Sequence, residues 1–90
     1  MSYEVVIYPE VRKDLTTISK PIQERIKKAI EIKLMSSPEL YGKPLRRSLH
    51  GYFKLRVGDY RIIYKIVKNT VEIFIIGHRS WVYEKMGLRI

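Results

Sequence analysis

Apolar and polar positions alternate most regularly between Gly51 and Tyr83, and that stretch frames the rest of the chain. In Phe53–Val57 the apolar Phe53, Leu55 and Val57 are separated by Lys54 and Arg56, the period of two that marks a half-buried strand. Gly58-Asp59 predicts a two-residue turn, with glycine supplying the positive φ that tight hairpins need. Tyr60–Val67 reads as the return strand, Lys68-Asn69 as a second turn and Val71–Gly77 as a third strand. Two-residue turns fix the pairing: Val57 faces Tyr60, Arg56 faces Arg61 and Lys54 faces Ile63. One face then collects Phe53, Leu55, Val57, Tyr60, Ile62, Tyr64, Ile66, Val71, Ile73 and Ile75, and is the expected core. The other gathers Lys54, Arg56, Arg61, Ile63 and Lys65 with Glu72, Phe74, Ile76 and His78.

Upstream, Tyr3–Tyr8 reads as a strand, interrupted by Pro9. Val11, Leu15 and Ile18 have the spacing of a helix stripe. After Ser19-Lys20, Pro21 suits the first turn of a second helix, whose stripe runs through Ile22, Ile26, Ala29, Ile30 and Lys33 to about Ser36-Ser37-Pro38. Both stripes are expected to pack on the core. Pro38–Gly51 carries turn signals and reads as a loop. After Gly77, Ser80 offers a cap for a short helix with Val82 and Met86 on one side, and Gly87 is its expected end. The order predicts an α+β fold: a helical hairpin on a largely antiparallel four-stranded sheet with a short C-terminal helix, in one domain over residues 1–90. No repeat or low-complexity segment interrupts it.

Charge changes the picture. The chain has 18 Lys+Arg against 9 Asp+Glu, a net charge of +9. An excess of this size in a small domain predicts attraction to a polyanion. Like charges facing each other across strands repel, so Arg56 beside Arg61, with Lys54 on the same face and His78-Arg79 beyond, reads as an anion site rather than a solvated face. Lys43, Arg46 and Arg47 in the loop extend that footprint toward a larger nucleic acid. With no cysteine and two histidines, His50 and His78, neither a disulfide framework nor a zinc site is expected. No apolar run approaches a membrane span and no leader is apparent, so a soluble cytoplasmic protein is the expectation.

The run LRVGDYRIIYKI followed by VEIFIIGHRSWVY resembles the RelE/ParE superfamily of bacterial and archaeal toxins, and its RelE branch more than its ParE branch. The likeness covers nearly the whole chain, including the order of elements, β-α-α-β-β-β-α. It implies the toxin of a type II toxin–antitoxin system that inhibits translation. Such a toxin is a ribosome-dependent, metal-independent endoribonuclease, an mRNA interferase that cuts mRNA in the ribosomal A site by 2′-hydroxyl attack. Carried over, Lys54, Arg61, Arg79 and Tyr83 match the catalytic positions. Arg61 and Arg79 would hold the phosphate, and Lys54 or Arg56 would favour the deprotonated 2′-oxygen. Tyr83 would stack on a base or assist proton transfer. Histidine is the easier base near neutral pH, so His78 is a candidate for that role or for positioning. Trp81 is either a stacking platform for RNA or a residue packed on the sheet.

The resemblance implies no cofactor and a RelB-like antitoxin as partner, beside mRNA and ribosomal RNA. Ile63, Phe74 and Ile76 form an apolar strip that such an antitoxin would bury, unless Val82, Met86, Leu88 and Ile90 cover it in the free protein. A ParE-like toxin that poisons gyrase without nuclease activity is the alternative, because one fold serves both. An RNA-binding module without catalysis is a third.

Overall fold

The computed structural model describes residues 2–46 and 49–89. Its strands are β1 (Glu4–Ile7), β2 (Lys43–Pro44), β3 (Phe53–Val57), β4 (Tyr60–Val67) and β5 (Thr70–His78). The helices are α1 (Pro9–Thr16), α2 (Lys20–Ala29), α3 (Pro38–Tyr41) and α4 (Val82–Arg89). The strands form one sheet in the order β1-β5-β4-β3-β2. The fold class is the expected one, with five strands in place of four. The stretch read as a loop contains a turn of helix and the two-residue β2, which pairs Lys43 with Lys54 and Pro44 with Phe53.

Chain chemistry accounts for the helix boundaries. Pro9 and Pro21 stand in the first turns of α1 and α2, after the extended residues Tyr8 and Ser19, where a missing N–H leaves no helical bond unmade. The Gln23 amide donates to the carbonyls of Leu15 (2.7 Å), which also accepts the Ile18 N–H, and Ile18 (2.8 Å), tying α2 to the end of α1. α2 runs on into one π-helical turn, Ile30–Leu34. The wider turn makes Leu34, rather than Lys33, the next fully buried position of the stripe. Gly87 does not end α4, which continues to Arg89.

Two apolar clusters sandwich the sheet. On one face Val11, Ile18, Ile26 and Leu34 pack against Leu55, Val57, Ile62, Tyr64, Val71, Ile73 and Ile76. On the other, Val82 and Met86 of α4 cover Ile63 and Ile75, with Tyr52, Phe74, Trp81 and Tyr83 around them. β1 pairs in parallel with the first half of β5, Glu4 with Thr70 through Ile7 with Ile73.

The β3–β4 register is the expected one, with Val57 facing Tyr60, Arg56 facing Arg61 and Lys54 facing Ile63. The β4–β5 register holds only from the Lys68-Asn69 turn to Tyr64, which faces Ile73. Ile63 then faces Ile75, leaving Phe74 as a bulged extra residue. One extra residue inverts the alternation beyond it. Ile75 therefore belongs to the α4 side and Ile76 to the α1–α2 core, the reverse of the alternation read from sequence.

Candidate functional site

The hairpin sets two like-charged pairs side by side. Lys43 faces Lys54 across β2–β3, and Arg56 faces Arg61 across β3–β4. These four side chains and Tyr41 line a cleft of about 190 Å³ with no carboxylate in its wall. Among the described residues the ion pairs are Arg79–Asp59 and Arg89–Asp14. None of the four cations in the cleft takes part. Facing cations destabilise a strand pair. Two such pairs in one concave surface concentrate positive charge that attracts anions.

The members are held in different ways. Arg61 Nη1 donates to the carbonyls of Gly58 and Tyr60, each at 3.0 Å, which folds the guanidinium back along the turn. Lys54 is half-buried, and its ammonium lies 5.7 Å from the centre of the Tyr83 ring, within the range of a cation–π contact. Tyr83 comes from the first turn of α4, so the docking of that helix decides whether Tyr83 stands over Lys54. Tyr41 was not singled out from the sequence; its one signal is an aromatic residue placed just before Gly42 and Lys43 in a basic stretch.

Lys54, Arg61 and Tyr83 thus stand together with Arg56 and Lys43. Arg79 lies one step along the ladder: its N–H donates to the Asp59 carbonyl at 2.8 Å, and its guanidinium Nε stands 3.8 Å from the Asp59 carboxylate. Both side chains are largely exposed, so this contact holds Arg79 weakly. Arg46 is exposed in the loop, and Arg47 lies outside the described residues.

Three expected members lie elsewhere. The bulge at Phe74 pairs His78 with Tyr60 and Arg61 with Gly77. His78 therefore shares a side with Tyr60, its ring edge-on to the tyrosine at 5.4 Å between centres, rather than with Arg61. Its Nδ1 accepts the Ser80 N–H (3.1 Å) and lies 2.9 Å from the Ser80 hydroxyl, which assigns the proton of the neutral ring to Nε2. Trp81 packs on the sheet: a Cβ on Gly77 would fall 2.3 Å from the indole ring, so the glycine is required by that contact. Lys85 covers the indole at 4.9 Å. Of the apolar strip, Ile63 and Phe74 lie in the α4 cluster, whereas Ile76 is buried on the opposite face. Val82 and Met86 cover Ile63, while Leu88 is 85% exposed and covers nothing. Ile90 lies outside the described residues. No group of acidic or histidine side chains suited to a metal ion occurs among the described residues.

Comparison with known proteins decides the family. A family model described as the ParE toxin of the type II toxin–antitoxin system parDE matches residues 5–83. The chain belongs to the RelE/ParE family of type II toxins. It is 35% identical over 83 residues to toxin RelE of Mycobacterium tuberculosis, spanning 90% of this chain and 86% of that protein. Against the mRNA interferase toxin RelE of Escherichia coli K12 it is 27% identical over 95 residues, spanning 100% and 99%. The toxin–antitoxin complex RelBE2 of M. tuberculosis contains a chain with the same fold, at a TM-score of 0.83 and 34% identity over 88% of this chain and 100% of that one. A chain of the RelB–RelE antitoxin–toxin complex of Methanococcus jannaschii matches at a TM-score of 0.71 and 28% identity, over 89% and 96%. RelE-family membership, α+β fold and toxin class therefore stand together. No helix among the described residues is long and apolar enough to cross a membrane.

Proposed function

We propose that this RelE-family toxin cuts mRNA in the ribosomal A site, without a metal, by attack of a ribose 2′-oxygen on the adjacent phosphorus. The observation that carries the reading is the convergence of Lys43, Lys54, Arg56 and Arg61 in one carboxylate-free cleft, with the Tyr83 ring over Lys54. A phosphodiester seated there lies among cations on both walls. The 2′-hydroxyl proton passes to solvent water, and Lys54 and Arg56 favour the 2′-oxygen anion that remains. Arg61 stabilises the charge that builds on the non-bridging oxygens as the 2′-oxygen bonds to phosphorus and the bond to the 5′-oxygen breaks. Arg79, held only by its loose contact with Asp59, swings in as the second phosphate ligand. Tyr83 passes a proton to the leaving 5′-oxygen, or stacks on the flanking base while water supplies that proton. This reading assigns no step to His78, which pairs with Tyr60.

The partner in this reading is a RelB-like antitoxin. It reaches Ile63, fully buried in the cluster with Val82 and Met86, only by lifting α4, and in doing so it takes Tyr83 away from Lys54.

The test is to add the purified protein to programmed ribosomes and map cuts by primer extension. Cleavage at A-site codons, lost with Arg61→Ala, is the expected result. A second reading, a gyrase poison, is favoured by the ParE description of the matching family model. Gyrase–DNA adducts with intact mRNA would establish it and end the nuclease reading.

A further inference from the structure

Tyr41 lines the cleft with Lys43, Lys54, Arg56 and Arg61, and alone among these residues carries no charge. The steps proposed above give it no part. Its place in the fold is nonetheless closely set. α3 is a single turn begun by Pro38, in which the Ser37 carbonyl accepts the N–H groups of Leu40 (3.0 Å) and Tyr41 (3.2 Å). The turn sits on the buried Tyr64, whose hydroxyl donates to the Pro38 carbonyl. Gly42 passes directly over that hydroxyl: a Cβ there would collide with it and stand 3.2 Å from the Cβ of Phe53. Tyr64 and Gly42 together fix the backbone that carries Tyr41.

The ring on that backbone is half open. Tyr41 is 50% exposed, and the Lys33 ammonium lies 5.6 Å from the ring centre, within cation–π range. An exposed ring on a fixed turn offers a stacking surface with little left to order on binding. Register places it along the cleft. β2 runs antiparallel to β3 with Lys43 opposite Lys54, so stepping back from Lys43 to Tyr41 moves along β3 from Lys54 to Arg56. Tyr83 marks the Lys54 end, and Tyr41 marks the Arg56 end, about 7 Å further along the strand. In the proposed steps Tyr83 serves the leaving side of the phosphate, and Lys54 and Arg56 serve the attacking 2′-oxygen. The Arg56 end therefore receives the nucleotide that carries the 2′-hydroxyl, with its base toward the Tyr41 ring. Every base has a π-face, but a purine overlaps more of a ring than a pyrimidine does, and such differences in stacking strength set a preference.

We propose that Tyr41 is a specificity-determining residue of the cleft: it stacks on the base of the nucleotide that carries the attacking 2′-hydroxyl and favours a purine there. The inference rests on the nuclease reading of the cleft.

The test is single-turnover cleavage on ribosomes programmed with four mRNAs that differ only in the nucleotide 5′ to the mapped cut, and with a fifth that is abasic there. Wild type is expected to cut after purines faster than after pyrimidines. Tyr41→Ala loses about five- to a hundred-and-fiftyfold after purines, the range for one stacked base, and levels the preference. Tyr41→Phe keeps the ring and recovers most of that loss. Tyr41→Leu keeps an apolar side chain without a π-face, matches Tyr41→Ala, and stands in for it if the alanine variant folds poorly. On the abasic mRNA the loss of the ring costs nothing further, because no base is left to stack. Equal loss on all five mRNAs marks a merely structural role and overturns the proposal. So does no loss on any, or a loss in Tyr41→Phe as large as in Tyr41→Ala. A second probe separates stacking from chemistry: 2-aminopurine placed at each A-site nucleotide in turn, in an mRNA blocked by 2′-O-methyl groups. At one position its emission changes on adding wild type or Tyr41→Phe and stays unchanged with Tyr41→Ala. The same change with all three proteins overturns the proposal. If wild type cuts none of the mRNAs, the nuclease reading of the cleft fails, and the emission alone decides whether Tyr41 stacks on a base.

Discussion

Arg89 and Asp14 form a two-point ion pair between the last turn of α4 and the last turn of α1. Nη2 meets Oδ1 at 2.6 Å and Nη1 meets Oδ2 at 2.9 Å. Asp14 is 3% exposed and also accepts the Ile76 N–H at 3.1 Å, while Arg89 Nη1 reaches the Phe74 carbonyl at 3.3 Å. β1 leaves β5 after Ile73, so these two side chains supply partners for the strand edge beyond it. The pair thus pins α4 to both α1 and the bulge, and the bonded carboxylate holds the Arg89 guanidinium above its ordinary value.

Removing one partner leaves a buried charge uncompensated, at a cost of roughly 3–5 kcal/mol. Asp14→Ala also strands the Ile76 N–H, so it is expected to cost more than Arg89→Ala, where Asp14 keeps that donor and water can enter the space the arginine side chain leaves. Urea unfolding of the two variants measures the difference. Equal midpoints would show that the backbone bond to Ile76 contributes nothing.

Arg61→Ala is expected to lower the cleavage rate by about a hundred- to a thousandfold, the usual loss when one donor to a developing oxyanion is removed. Stability should change little. The two bonds to Gly58 and Tyr60 are lost, but so is repulsion from Arg56 across the strand pair. Single-turnover cleavage on ribosomes, with a thermal melt on the same sample, checks both. Lys in place of Arg61 keeps the charge without the fork and should recover part of the rate.

How far the sequence could be read follows from which interactions are local. Strands β3 and β4, their turn and the facing pair Arg56–Arg61 were legible, because period two and a Gly-Asp turn act over neighbouring residues. The cleft was legible for the same reason, since Lys54, Arg56 and Arg61 lie within one hairpin. The bulge at Phe74 was not, because the run from Val71 to Ile76 is apolar almost throughout and gives alternation nothing to register against. That single insertion moved His78 and Ile76 to the other side of the sheet. β2 was hidden by its length of two residues and by a proline. The Asp14–Arg89 pair joins residues 75 apart in the chain, with no local pattern to announce it.

Tyr64 predicts the alkaline limb of stability. It is fully buried and donates to the Pro38 carbonyl at 2.6 Å. Burial first, and the negative charge of Glu39 second, push its hydroxyl well above the usual tyrosine value of 10.0. The folded state therefore holds this proton more tightly than the unfolded chain does. The resulting stability is fully present below about pH 10 and falls as pH rises toward the folded value, by about 1.4 kcal/mol per pH unit. Tyr64→Phe removes one of two bonds to the Pro38 carbonyl, which keeps the Gly42 N–H at 3.3 Å, so it should cost about 0.5–1.5 kcal/mol at neutral pH and should flatten the loss above pH 10. Denaturant midpoints of both proteins from pH 7 to 11 test this; parallel curves would assign the alkaline loss to other tyrosines.

In the proposed reading Tyr83 would link activity to the placement of α4, and its two roles separate by substitution. Tyr83→Phe keeps the ring over Lys54 and removes the hydroxyl, whereas Tyr83→Ala removes both. A strong loss in the Phe variant assigns proton transfer. Normal cleavage by Phe with loss in Ala assigns stacking, and full activity in both excludes Tyr83 from the chemistry. The same placement predicts how an antitoxin silences the protein. Ile63 and Ile75 are completely buried under Val82 and Met86, so an antitoxin helix reaches them only where α4 has lifted. Hydrogen exchange on free toxin and complex should then show Val82–Met86 losing protection on binding while Ile63 and Ile75 keep theirs, because one apolar cover replaces another. Arg89→Ala, with α4 no longer pinned to Asp14, should bind antitoxin faster and cut mRNA more slowly when free. Protection that rises over α4 in the complex would place the antitoxin on top of that helix, and the cleft would then be blocked rather than dismantled.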